Sequence, residues 1–312
     1  MAFEVPKADF TKTLPELQVF PNLLSIYATV KLWLDKVSDK CDVRLVGYPK
    51  NNPKIWVVVK DNKYGKPFII IQTTTYDQNV IRTGVPKMLD LLDLFLDSKD
   101  IYEVICFGEV MDEETLCTLF QVRKWISSTG THTHVGMDEP ANWFYMDEPT
   151  QDRLLEADLS LPDGFEYITL DGERDAQQLV EELVYASEDD VDLAKSRLDK
   201  MPSVGIRVIA TGELASFEYN DGFGFFTHQF TYPKFRGLGL GKLVELKLAQ
   251  INLEKLGIWP FKGVGCKRPR VIAMTEKSPW WKTVTNEKGE AQCVFYCVFS
   301  KGPVVKHVFY EN

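Results

Sequence analysis

The chain of 312 residues is 45% hydrophobic and 26% charged, with a net charge of −9. This is globular composition with room for two domains, and the acidic balance argues against nucleic acid as a partner. No apolar run approaches the ~18 residues of a membrane span, and MAFEVPKADF has neither a secretory pattern nor the Arg- and Ser-rich start of a transit peptide. An intracellular protein, cytoplasmic and without a membrane segment, is expected.

In chain order, apolar residues at helical spacing predict a helix over 23–37. Three β-rich runs follow, VRLVGY from Val43, IWVVVK from Ile55 and PFIIIQT from Pro67, separated by the turn chemistry of YPKNNP and DNKYGK. A helix is expected over 85–96, a strand VICFGE from Val104, and a helix over 113–127 with Asp112 as its N-cap. A stretch rich in Gly and Pro, with a short aromatic strand at 142–146, leads to a domain boundary placed near residue 150.

The second half predicts a strand over 165–170, helices over 174–186 and 190–200 (Asp189 capping the latter), and a strand from Gly205. ELASFEY and GFGFFTHQFTY then alternate as two strands joined at Asn220-Asp221-Gly222, a hairpin signal. A long helix over 238–256 with Gly257 as its C′ residue, a strand FKGVGC, a helix over 268–282 and a strand QCVFYCVFS complete the chain. The helix between the hairpin and FKGVGC makes that crossover parallel, so the sheet is mixed. No internal repeat is visible. The six cysteines, at 41, 106, 117, 266, 293 and 297, have no C-x-x-C spacing and read as reduced thiols.

The stretch HQFTYPKFRGLGLGK carries the chemistry. A P-loop would need Gly where Arg236 stands, and a dinucleotide fingerprint from Gly237 would need Gly where Lys242 stands. What fits is R-x-x-G-x-G, from Arg236 to Gly241, opening directly into a helix. The first turn of a helix has unpaired N–H groups and a partial positive charge, and glycines let a phosphate approach them. Residues 230–270 hold nine Lys or Arg against Glu245 and Glu254, a local +7 in an acidic chain. Lys242, Lys267, Arg268 and Arg270 flank two strand-to-helix junctions there, as suits a ligand with several phosphates.

These residues resemble the GNAT superfamily of acyl-CoA-dependent N-acyltransferases, whose R/Q-x-x-G-x-G/A loop binds the coenzyme A pyrophosphate. More narrowly, the second half looks like the glycine N-acyltransferase family. The similar run starts at AQQLVEELVYASEDD, continues through RLDKMPSVGIRVIATGELASFEYNDG and ends in FTYPKFRGLGL. Where that family has T-L-P-E-Y-R-x-x-G-L, the chain has Thr231, Tyr232, Pro233, Lys234, Phe235, Arg236, Gly237, Leu238, Gly239 and Leu240. The resemblance covers residues 165–257 or so and is loose elsewhere.

The resemblance implies an α/β fold with a mixed sheet. Residues 151–312 would be a GNAT-like acyl-CoA-binding domain. Residues 1–150 would be a smaller α/β domain, either a degenerate GNAT-like half or a platform for the acceptor. Acyl-CoA, acetyl or with a longer or aromatic acyl group, would be the co-substrate. Its pyrophosphate would lie on the N–H groups of Leu238, Gly239, Leu240, Gly241 and Lys242, with Arg236 and Gly237 in the same loop. Its pantetheine arm would pair with backbone near Phe230, Thr231 and Tyr232, between splayed strands. The acceptor would be a small amine such as glycine or another amino acid. The family's location would place the chain in mitochondria, against the reading of its N-terminus.

The family's proposed glutamate base is Lys234 here, and lysine is a poor base at neutral pH. His228 and Glu218, on the two hairpin strands, are the substitutes; orientation and a water are a third route. Trp280 and Trp281 are candidates to line a pocket, and Thr275 and Ser278 to protonate the leaving thiolate. His132 and His134 lack a third ligand at a fitting spacing, so no metal is expected. Two other functions stay open: a protein or polyamine N-acetyltransferase, and, on account of Lys234, an acyl-CoA-binding pseudoenzyme or interaction module.

Overall fold

The runs of Val and Ile in the first half send alternate side chains to opposite faces of a sheet, and helices cover both. A computed structural model describes residues 1–37, 41–63, 65–109, 117–136, 140–183 and 190–302. Its first elements are β1 (Phe3–Val5), α1 (Phe10–Thr13), α2 (Leu24–Leu34), β2 (Cys41–Tyr48), β3 (Ile55–Asn62), β4 (Phe68–Thr73), α3 (Gln78–Asp90) and α4 (Asp93–Asp97). There follow β5 (Ile101–Glu109), α5 (Cys117–Thr129), β6 (Thr133–Gly136) and β7 (Pro140–Tyr145). Val58, Ile70 and Ile105 pack with residues of α2. Val57, Ile69, Ile71 and Val104, one residue out of phase, pack with Val85 and Met88 of α3 and Val122 and Ile126 of α5. Two covered faces are why these strands read as continuous apolar runs.

The second half continues with α6 (Glu148–Leu155), β8 (Phe165–Ile168), α7 (Gly172–Glu181), α8 (Asp190–Lys200), β9 (Ser203–Val208), β10 (Leu214–Asn220) and β11 (Phe226–Thr231). Then come α9 (Leu240–Ile251), β12 (Phe261–Gly265), α10 (Pro269–Glu276), β13 (Lys282–Thr283) and β14 (Cys293–Ser300). The expected order of elements is present. Several ends differ, each for a local reason. The helix expected over 85–96 starts at Gln78, because the Asp77 carboxylate accepts from the N–H groups of Asn79 and Val80, and it breaks before α4. The helix expected over 268–282 stops at Glu276, three residues before Pro279. The long helix starts at Leu240, passes into a wide turn at Asn252–Leu256 and ends at Gly257 with φ 58°. The hairpin turn spans five residues: Asp221 Oδ1 accepts from the N–H groups of Phe223 and Phe225 at 3.0 and 2.9 Å. THTH contributes β6, and α6 and β1 had no sequence signal of their own. The expected caps Asp112 and Asp189, and residues 184–186 of an expected helix, lie outside the described residues.

All strands join one mixed sheet, ordered β1-β2-β3-β4-β5-β14-β7-β12-β11-β10-β9-β8, with β6 and β13 at its side. The order is nearly a palindrome. Strands of the first half run outward on one side of the β14–β7 pair, and strands of the second half on the other. The last strand of each lies against the opposite set, β14 against β5 and β7 against β12. The sheet therefore passes unbroken across residue 150. Both sides contain one parallel pair in the middle, β4–β5 and β11–β12.

Candidate functional site between β11 and β12

The two parallel pairs differ in one respect. β4 and β5 are matched at four positions, from Phe68↔Glu103 to Ile71↔Cys106. β11 and β12 are matched at one, Phe226↔Lys262. Beyond it β11 runs on to Thr231 with a ladder only to β10 among the described residues. His228 and Gln229, on an inner strand of a large sheet, are exposed. The strands part here, leaving a groove that opens toward the loop before α9.

A β-bulge shapes this edge. Phe217 pairs with Phe230 and Tyr219 with Thr227, so His228 and Gln229 together oppose Glu218, and His228 takes φ 56°. Tyr232 N–H donates to the Ala215 carbonyl (3.0 Å), and the Phe230 carbonyl accepts from Ser216 Oγ (2.9 Å). Phe230 and Tyr232 thus turn their main-chain groups to β10. By strand alternation Gln229 and Thr231 turn theirs into the groove, where Arg236 Nε holds the Thr231 carbonyl at 3.0 Å.

The glycine loop follows at once. Gly237 and Gly239 adopt φ 82° and 78°, which side chains disfavour, and a Cβ at either would meet nothing within 4 Å. Their front is open. α9 opens behind Gly239, an N-cap with no side chain to take its N–H groups, and has no acid in its first turn. By contrast α3, α6 and α7 start behind Asp77, Asp147 and Asp171, whose carboxylates take their free N–H groups. The N–H groups of Leu240, Gly241 and Lys242 have no acceptor within the helix. This donor set, with Arg236 and Lys242 exposed in the same loop and first turn, fits a pyrophosphate. The basic set is smaller than the sequence count implied. Lys234 pairs with Glu213 at the surface, and Lys262 is buried against Glu245.

Under α9 lies a buried polar group. Lys262 Nζ bonds Glu245 and sits 4.4 Å from the Trp281 ring, and Trp281 Nε1 donates to Glu245 at 2.8 Å. Glu218, 2% exposed, meets Gln229 Nε2 at 3.4 Å; the same amide donates to the Gly241 carbonyl at 2.9 Å. Burial, then the charge of Glu245, push the Glu218 carboxyl well above the usual carboxylate range, against the pull of Lys262.

His228 lies on the other face of the strand, its ring 5.3 Å from Tyr219. It touches solvent, yet protein packs closely round it. That burial, with Arg197 and Arg268 nearby, disfavours the imidazolium and pushes its pKa down to about 3. The hairpin therefore brings Glu218 and His228 onto neighbouring strands but aims them apart. Thr275 is buried, Ser278 Oγ accepts from the Trp280 N–H, and Trp280 lies under Arg153. His132 uses both ring nitrogens, on Thr131 and the Lys99 carbonyl. No group of three or more metal-ligating side chains gathers among the described residues.

Gln229, Glu245 and Lys262 carry no sequence signal of a site. Each stands in an ordinary strand or helix pattern, and only the one-pair match of β11 with β12 makes them neighbours of a groove.

No family model matches the chain, and no curated protein matches its sequence. Solved structures do. A Drosophila protein is similar over 96% of this chain and 98% of its own, with TM-score 0.69 and 14% identity. A tandem GNAT protein from the clavulanic acid biosynthesis pathway is similar over 97% and 99%, with TM-score 0.52 and 12% identity. A GCN5-related N-acetyltransferase from Kribbella flavida covers 91% and 98%, with TM-score 0.50 and 13% identity. The chain thus has the mixed α/β fold of the GCN5-related N-acetyltransferases.

Proposed function

We propose that the chain transfers an acyl group from acyl-CoA to the amine of a small acceptor. The observation that carries this reading is the groove where β11 and β12 part, ending at an uncapped helix start. Gly237 and Gly239 leave room at that end, and the N–H groups of α9 with Arg236 and Lys242 would hold the pyrophosphate. Gln229 and Thr231 would offer main-chain groups to the pantetheine arm. When bound, acyl-CoA supplies an activated thioester acyl group.

Of the two candidate bases, Glu218 suits the work better. Burial and the neighbouring Glu245 raise its pKa, and a raised pKa makes the carboxylate the stronger proton acceptor of the two. Its carboxyl is screened from the groove by Gln229, so the amine's proton would reach it through one water. His228, held neutral with a pKa near 3, would shape the pocket without taking the proton. Residues 1–150 we read as a second GNAT-like half with its own groove closed. There β4 and β5 are matched at four positions, and Asp77 occupies the helix start that a phosphate would need. The finer assignment, a glycine N-acyltransferase type of enzyme, rests on the likeness of the sequence over residues 165–257 or so.

The test incubates the protein with acetyl- and benzoyl-CoA against amino acids, a polyamine and a lysine peptide, following release of free thiol. Turnover with a small amine supports the proposal. Turnover only with the peptide or the polyamine moves it to those acceptors. Tight coenzyme A binding without turnover leaves a binding module, the function Lys234 at the expected base position favours.

A further inference from the structure

Where β11 and β12 part, the face under α9 carries more acid than base, largely out of water. Lys262 of β12 is the residue matched to Phe226, the point beyond which the two strands separate. Its ammonium bonds Glu245 of α9 and lies 4.4 Å from the Trp281 ring. Trp281 also packs edge-on against Phe226, with ring centres 5.9 Å apart, so one indole touches both strands there. Glu218, Glu245 and Lys262 are 2%, 8% and 9% exposed. Two carboxyls thus share one cation, and a single proton would bring the group to neutrality.

The donors around the two carboxyls differ. Both oxygens of Glu245 are taken, Oε1 by Lys262 and Oε2 by the Trp281 N–H at 2.8 Å. Ammonium and indole can only donate, so the ionised carboxylate is the form that fits them. Glu218 has one donor, the Gln229 amide of β11, at a long 3.4 Å. Its partner on the other side, Val204 of β9, is apolar. The charges that bear on it come from α9 and β12, as Glu245 and Lys262. The exchangeable proton of the group therefore belongs to Glu218, in keeping with the upward push that burial gives its pKa.

We infer that Lys262 is a positioning residue of the acyl transfer: by holding Glu245 as a carboxylate, it leaves Glu218 as the carboxyl that takes the proton. As the amine forms its bond to the thioester carbon it loses one proton, which one water passes to Glu218. The C–S bond breaks with its electron pair on sulfur. The thiolate takes a proton from solvent, and Glu218 returns one to it. Taking the proton changes the buried group from one net negative charge to none, which favours acceptance. The role rests on the acyl-transfer reading, with Glu218 as base; the arrangement of the three charges does not.

The test follows the side-chain carboxyls of the full, ligand-free chain by NMR against pH, with isotope-labelled glutamate and Glu218→Gln to assign the signal. In Glu245→Gln, which removes a negative charge and keeps an acceptor for Trp281, the Glu218 midpoint should fall by about one pH unit or more. In Lys262→Met it should rise by a similar amount, and Lys262→Arg should stay near the parent. The midpoint of kcat, measured with acetyl-CoA and an amine that the parent acylates, should move in the same order while KM changes less than about threefold. A merely structural role would lower the rate, or the melting temperature, at an unmoved midpoint. Should Lys262→Met fail to melt cooperatively, Glu245→Gln and Lys262→Arg decide. A Glu218 midpoint that stays or rises in Glu245→Gln, or a kcat profile that does not follow the carboxyl, overturns the inference. A parent that releases no thiol with any amine removes the acyl-transfer reading instead, and this role with it, whatever the carboxyl titration gives.

Discussion

Glu218 and His228 stand one on each strand of a hairpin, and the bulge between them decides which can serve as a base. It turns His228 toward Tyr219 and leaves Glu218 under α9 with Gln229, Glu245 and Lys262. Glu218→Gln should therefore lower the acyl-transfer rate by about two orders of magnitude, the usual worth of a positioned base. The parent rate should rise with pH through the raised Glu218 pKa, and the variant should lose that rise. His228→Ala should cost less than about tenfold and keep the profile. A comparison of kcat against pH in the three proteins checks this; a flat parent profile, or the larger loss at His228, would reverse the assignment. The sequence offered both residues because each stands near the glycine loop. It could not choose, since the choice depends on one residue of φ 56° that no propensity foretells.

At the scale of elements, the hairpin that carries both residues is held by Asp221. Its carboxyl organises the turn through Phe223 and Phe225, and burial raises its pKa to about 7. The folded state keeps the proton that the unfolded state loses above pH ~4, so the group's contribution is fullest below that and fades as pH rises through 7. Asp221→Asn keeps the acceptor oxygen without the charge. Relative to the parent, it should gain stability between pH 5 and pH 8. Asp221→Ala should lose about 1–3 kcal/mol at pH 5, because two buried N–H groups are left unpaired. Urea unfolding at the two pH values measures both. The turn itself was legible in Asn220-Asp221-Gly222, and so were the buried strands, whose Val and Ile runs have no other home. Helix ends were less so. Asp77 starts α3 seven residues before the expected helix, because one carboxylate on two N–H groups outweighs weak local propensity. The strand in THTH is made by its pairing with β14, a contact 160 or so residues away in sequence that composition cannot carry.

Across the whole molecule, the sheet is close to symmetric while its two parallel junctions are not. One is matched at four positions and ends on a helix start filled by Asp77. The other is matched at one position and ends on a helix start whose N-cap, Gly239, has no side chain to fill it. The glycine loop made the second junction legible; the absence of a counterpart loop in FIIIQTTTYDQ left the first half obscure, and its likeness to the second emerges only from strand order. The proposal that follows is one coenzyme per chain, bound at the open junction. Titrating coenzyme A into the parent, Gly239→Ala and Gly239→Glu tests it most directly. All three should melt cooperatively, and the parent should bind one coenzyme A per chain. The alanine variant shares the strain at φ 78° and should bind more weakly, while the glutamate variant sets a carboxylate before the α9 N–H groups and should not bind at all. A parent that binds no coenzyme A, or a Gly239→Glu protein that binds it as the parent does, would contradict the account.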